Sequence, residues 1–238
     1  FNMKYFFLFF ILSAFFFSCD SDDDINIDIQ FRHFIDEEIL ALNNLVYTNQ
    51  SGEIYSVQRL MYVLSDLRCH CKNGQILHID NYKFVNLDDL NSLEIKNISL
   101  PSLCTSISFT FGFSNSQNTS NLYINEPNNF HNLMFWPDLI GGGYHYIKLE
   151  GKYFNSNQEE QFYNTHTGSF NGVDYSWDYT IDITETDYNL LYIDMNVNNF
   201  YNNPVYNFEE FGSGIMQNEN AQQFIFNNLS DVFSIEIN

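Results

Sequence analysis

Apolar and polar positions alternate along most of this chain. In "INIDIQF", Ile25, Ile27, Ile29 and Phe31 share one side, the period-two pattern of a half-buried strand. "TSISFTFGFS" repeats it, with Ile107, Phe109, Phe111 and Phe113 set against Ser and Thr. The stretch "YSVQRLMYVLSDLRC" is longer and more evenly apolar, and "KNG" (72–74) reads as a hairpin turn into "QILHI". "YHYIKLEGKYF" and "EQFYNTH" pair as a second hairpin around "NSNQ". "DYTIDIT", "NLLYIDMNVNNFY" and "DVFSIEIN" supply later strands. Helical spacing is scarce, and "QNENAQQFIFNNL" is its best short stretch. Many short strands between Asn, Ser and Gly turns predict an all-β fold, an antiparallel β-sandwich in a single domain.

The N-terminus breaks this pattern. Tyr5 to Phe17 is an unbroken apolar run but for Ser13, shorter than the ~20 residues of a membrane-spanning helix, and it matches the core of a signal peptide. It ends at "FFSC", which resembles a bacterial lipobox, so Cys19 is the expected lipidation site and membrane anchor. "DSDDD" follows, with neither the ligand spacing nor the glycine turn of a calcium loop, and reads as a solvated tether. It also resembles the acidic export signal of Bacteroidetes surface lipoproteins. The expected organisation is a lipoprotein signal at 1–19, a tether at 20–24 and the sandwich at 25–238. The expected location is the outer membrane, facing outward, or otherwise its periplasmic face.

Charge narrows the partners. The 238 residues carry a formal net charge of -21 with nine Lys plus Arg, a surface that repels phosphate backbones and excludes nucleic acid as a partner. Three cysteines remain beyond Cys19. In an oxidising envelope, Cys69, Cys71 and Cys104 allow one disulfide and an odd thiol, the pairing left open. "CHC" (69–71) looks like a metal clip, but no second pair of ligands lies near it in sequence.

Catalytic signatures are missing: the chain has no GxSxG elbow, no HExxH helix and no phosphate-cradling glycine loop, and "GGG" (141–143) precedes a strand rather than a helix. A non-catalytic protein is expected. The histidines are more informative. Strand alternation puts His145 with Ile147 and Leu149, opposite Tyr144, Tyr146, Lys148 and Glu150. There, desolvation favours neutral imidazole, which is also the metal-binding form. "QFYNTHTG" likewise sets Phe162, Asn164 and His166 on one face. Taken singly, a buried ring bonded to backbone is the commoner explanation of each histidine. His131 is read as an exposed loop residue, and Met134 as a core side chain or a soft sulfur donor.

"MFW…GGGYHYIKLEG", "YNTHTG" and "GIMQNENAQ…VF", with "YTNQSGEIYSVQRLMYVLSDLRCHCKNG" upstream, together resemble the MbnP-like family of bacterial envelope proteins from about His33 to about Phe233. The resemblance implies a β-sandwich associated with copper, bound in its best-understood members through histidines and an oxidised tryptophan, a kynurenine. It also implies a dihaem cytochrome c peroxidase-like partner that makes this group. Carried onto this chain, His166 matches the His-Gly segment and Trp136 the tryptophan of "MFW", while His145 fits the "GGGYH" variety. The Trp-X-His arrangement of the copper-binding members has no counterpart, since Pro137 and Asp138 follow Trp136.

The expected metal site is therefore His166 and His145, with Met134 as a weaker donor and Trp136 close by. Its geometry depends on hairpin register. A turn centred on Asn157 places His166 opposite Lys148 and leaves His145 ~10 Å away along the strand. A turn at Asn155-Ser156 brings the two histidines opposite each other. The rival function is a glycan-binding surface lipoprotein, which two or more exposed coplanar aromatics would favour.

Overall fold

The computed structural model describes residues 24–101, 104–183 and 189–237. The expected signal, Cys19 and most of the tether lie outside these residues. Twelve strands follow in chain order: β1 (Asp24–Ile35), β2 (Glu38–Ile39), β3 (Tyr47–Thr48), β4 (Ile54–Cys71), β5 (Ile76–Asn86), β6 (Glu94–Pro101), β7 (Cys104–Phe111), β8 (Ile147–Phe154), β9 (Glu160–Thr167), β10 (Trp177–Asp182), β11 (Leu190–Asn196) and β12 (Phe233–Ile237). Among the described residues three short α-helices interrupt them: α1 (Phe130–Met134), α2 (Phe208–Phe211) and α3 (Glu219–Asn227). The expected C-terminal helix is α3, capped by the Asn218 side chain, which accepts from the Ala221 amide. Among the described residues, no helix is long and apolar enough to cross a membrane.

The strands form two sheets. The smaller runs β12-β11-β1-β2 with β6 also on β1, and the larger runs β10-β7-β4-β8-β9 with β3 and β5 also on β4. Alternation predicted the strands, and the sandwich follows from their apolar faces. Ile27, Ile29 and Phe31 are buried from one sheet, and Phe109 and Phe111 from the other. Phe233 of β12 packs on Tyr62, Phe109 and Tyr179 of the larger sheet. His33 Nε2 lies 3.1 Å from the Tyr62 hydroxyl, joining β1 to β4 through the core. One pairing departs from the antiparallel expectation, because β1 and β11 run parallel from Asp28↔Leu190 to Phe34↔Asn196. Period-two patterning is the same for either direction, so the sequence carried no sign of it.

β4 organises the larger sheet. Its first half pairs with β8, from Tyr55↔Tyr153 to Tyr62↔Ile147, and its second half with β7, beginning at Leu64↔Phe111. Val63 sits at the seam, donating its amide to Tyr146 O and accepting from the Gly112 amide. Between β7 and β8 the chain leaves the sheet, carrying α1 and the glycine run, and returns beside His145. The candidate site is built where that excursion rejoins the sheet.

Candidate functional site

The returning segment is held by short polar bonds. Asn118 Oδ1 accepts from the Tyr144 amide at 2.8 Å, and Ser120 Oγ accepts from the Gly143 amide at 2.8 Å. Gly141, Gly142 and Gly143 all have positive φ, and a Cβ on Gly143 would stand 2.3 Å from Asn118 Oδ1. Only glycine takes this path without strain or collision. Phe130 of α1 stacks on Tyr144 at 5.2 Å. His131 also lies in α1, not in an exposed loop. It is half-buried, with Nδ1 3.0 Å from the Tyr144 hydroxyl.

His145 is fixed twice by the last residue of α1. Its amide donates to Met134 O at 2.6 Å, and its Nδ1 lies 3.1 Å from the same oxygen. Nδ1 therefore carries the proton and donates, which leaves the Nε2 lone pair unused. Nε2 is buried and has no hydrogen-bond partner. Burial, with lesser contributions from His166 and Lys148, pulls the imidazole pKa down to about 3, so the ring is neutral. Met134 is fully buried and enters this arrangement through its carbonyl.

His166 sits on β9 directly opposite Lys148, the register of a turn centred on Asn157. Its phase differs from the sequence reading. Tyr163, Thr165 and Thr167 face the core, whereas His166 lies on the opposite face with Lys148 and Glu150, its side chain mostly covered at 12% exposure. Tyr144 and Tyr146 are likewise buried, because positions 144–146 precede β8 and do not follow its alternation. His166 Nε2 lies 2.9 Å from Glu150 Oε1, its diagonal neighbour across the ladder. The bond from His166 holds the Glu150 carboxyl below its usual range. Lys148 Nζ donates to Leu133 O at 2.7 Å, tying β8 to α1, and burial lowers its pKa.

These paths bring the three key rings together. Trp136 meets His145 edge-on at 4.7 Å between centroids, and His145 meets His166 at 5.2 Å, nearly perpendicular. Two imidazoles sharing one ion at ~2.0–2.1 Å, with a bond angle near tetrahedral, have centroids about 5 Å apart, so the spacing suits a shared ion. Trp136 is fully buried and rests on Gly168, where a Cβ would stand 2.8 Å from indole Cδ2. That contact gives the glycine of "THTG" its role.

Buried side-chain polar atoms without a partner concentrate here. Among the described residues they are Trp136 Nε1, His145 Nε2, Thr167 Oγ1 and Gln222 Oε1. Thr167 adjoins His166, and Gln222 of α3 donates to His166 O at 2.8 Å. Each such atom costs about 1–3 kcal/mol, and the two on the touching rings of Trp136 and His145 make this the candidate binding site. No third His, Cys, Asp or Glu donor converges with the two histidines among the described residues.

Glu150, Lys148, Gly168 and Gln222 were not among the expected site residues. Glu150 and Lys148 had a signal, since the Asn157-centred register places both beside His166. Gln222 closes the "GIMQNENAQ" stretch, but nothing in that stretch pairs it with His166, because only tertiary packing brings α3 to β9.

A family model described as MbnP matches residues 24–221. The chain belongs to the MbnP family. In fold it resembles MbnP from Methylosinus trichosporium, with a TM-score of 0.62 at 8% identity, covering 90% of this chain and 99% of that one. No curated protein matches. The MbnP match begins at Asp24, the first residue of β1 and the last of the expected tether, and includes every site residue except Gln222.

Proposed function

We propose that this MbnP-family protein is a non-catalytic envelope lipoprotein that handles copper at the His145–His166 pair. The observation that carries the reading is the unpartnered, buried Nε2 of a neutral His145 facing a second imidazole whose own Nε2 is taken by Glu150. A ligand imidazole whose other nitrogen is fixed by a carbonyl or carboxylate is the usual arrangement at metal sites. Copper, when bound, would supply one-electron redox chemistry. His145 and His166 would hold it, the Met134 carbonyl and Glu150 would orient the rings, and Trp136 would close the site to water.

The family resemblance adds oxidation of Trp136 to a kynurenine by a dihaem cytochrome c peroxidase-like partner. The 4.7 Å Trp136–His145 contact supports it, since an oxidised Trp136 would stand beside the proposed ligand His145. Anchoring through a lipidated Cys19, on the outer membrane and facing outward, completes the proposal. The glycan-binding alternative loses its main support. Among the described residues Phe162 is the one exposed aromatic, and the other rings are buried or half-buried. Titration of the purified protein with Cu(I) and Cu(II) tests the reading. Stoichiometric binding lost in His166→Ala supports it, and no binding tighter than micromolar contradicts it.

A further inference from the structure

A second cluster of soft donors lies at the far end of β4, about 25 Å along the strand from the Val63 seam. Alternation turns Cys69 and Cys71 to the buried side, at 0% and 6% exposure. His70 points the other way, with Nε2 2.7 Å from Ser108 Oγ, so "CHC" is not a three-residue clip. The third donor comes from β7. Cys104 pairs directly with Cys71 across the ladder and forms a disulfide with Cys69, Cα to Cα 6.1 Å. Cys71 Sγ stands 3.7 Å from Cys104 Sγ, and all three sulfurs lie within 4.8 Å of one another. A disulfide needs two cysteines, and a third sulfur in contact with the bridge adds nothing to that role.

We propose that reducing this bridge opens a three-thiolate site for a soft monovalent cation of the Cu(I) or Ag(I) class. A dithiol supplies the two electrons and two protons. The Cys69–Cys104 bond breaks, both sulfurs become thiols, and the dithiol leaves as its own disulfide. The cation then binds as the thiols release protons to solvent. Three sulfurs around one ion at ~2.3 Å lie about 4 Å apart, a spacing the present positions reach with small side-chain shifts. Zinc is disfavoured, because its structural sites are four-coordinate and no fourth His, Asp or Glu joins the cluster among the described residues. Thiolate sulfur selects Cu(I) instead. With the bridge closed, two of the three donors are tied up, so binding follows the redox state.

The test compares the full chain before and after treatment with dithiothreitol, each titrated anaerobically with Cu(I) against a competing chelator. The readout is near-ultraviolet sulfur-to-copper absorption, which reports thiolate ligation alone and is independent of His145 and His166. The reduced protein should gain this absorption at one equivalent, and the oxidised protein should lack it. Cys71→Ser leaves the disulfide in place, and after reduction it should bind roughly tenfold or more weakly than wild type. The proposal is overturned by no sulfur absorption in the reduced protein, by binding unchanged in Cys71→Ser, or by loss of the β circular dichroism signal on reduction.

Discussion

The ring of His145 stands nearly perpendicular to that of His166, 5.2 Å away, although His166 is in register with Lys148 rather than with His145. Strand spacing would separate the two histidines by ~10 Å. The contact forms because residue 146 is a bend: its amide donates to Thr167 O and its carbonyl accepts from Val63, so His145 lies off the strand.

Protonation should weaken the fold below neutral pH. Burial lowers His145 to about 3 and His33 to about 4, against ~6.5 when unfolded. Below pH 6.5 the unfolded chain therefore takes up protons that the folded chain refuses. Stability present above pH 6.5 is lost as pH falls toward 4 and then 3, at about 1.4 kcal/mol per pH unit for each histidine. Glu150, its carboxyl also held low, adds a further loss as pH falls through its folded value. Urea midpoints at pH 7.5 and pH 5 check this. A flat profile would count against buried neutral imidazoles.

Gly168→Ala should destabilise the fold by about 1–3 kcal/mol, because the added Cβ meets a fully buried indole at 2.8–3.0 Å. Gly214→Ala, with open space at its Cβ, is the control. Chemical denaturation measures both. Equal stabilities would mean that Trp136 does not rest on Gly168.

Much of the fold was readable because alternation marks strands wherever one face is buried. "INIDIQF" and "ISFTF" became β1 and β7, "KNG" the turn from β4 to β5, and "NSNQ" the turn from β8 to β9. Alternation groups residues by face without saying which face meets the core. Phe162 made its own side of β9 look apolar, yet it is 63% exposed while Tyr163 and Thr165 are buried. His166 was therefore assigned to the wrong face. The partner exchange along β4 and the bend at 146 depend on long-range backbone bonds, which no local pattern encodes.

Glu150→Gln should keep the fold and lower copper affinity by about 10–100-fold, the usual cost of removing a group that orients a ligand imidazole. Competition titration against a chelator measures the change. Wild-type affinity in this variant would show that the 2.9 Å bond to His166 has no part in binding.

Cys19→Ala should release the protein from membranes when cells are fractionated. Retention equal to wild type would remove the lipid anchor from the account.

The most direct test follows the histidine ring nitrogens by ¹⁵N NMR as Cu(I) is added to the protein with its disulfide intact. The account predicts that the Nε2 resonance of His145 shifts and saturates at one equivalent, with the His166 ring moving in step. If both rings stay unshifted while copper binds, or if no copper binds, the His145–His166 pair is not a copper site.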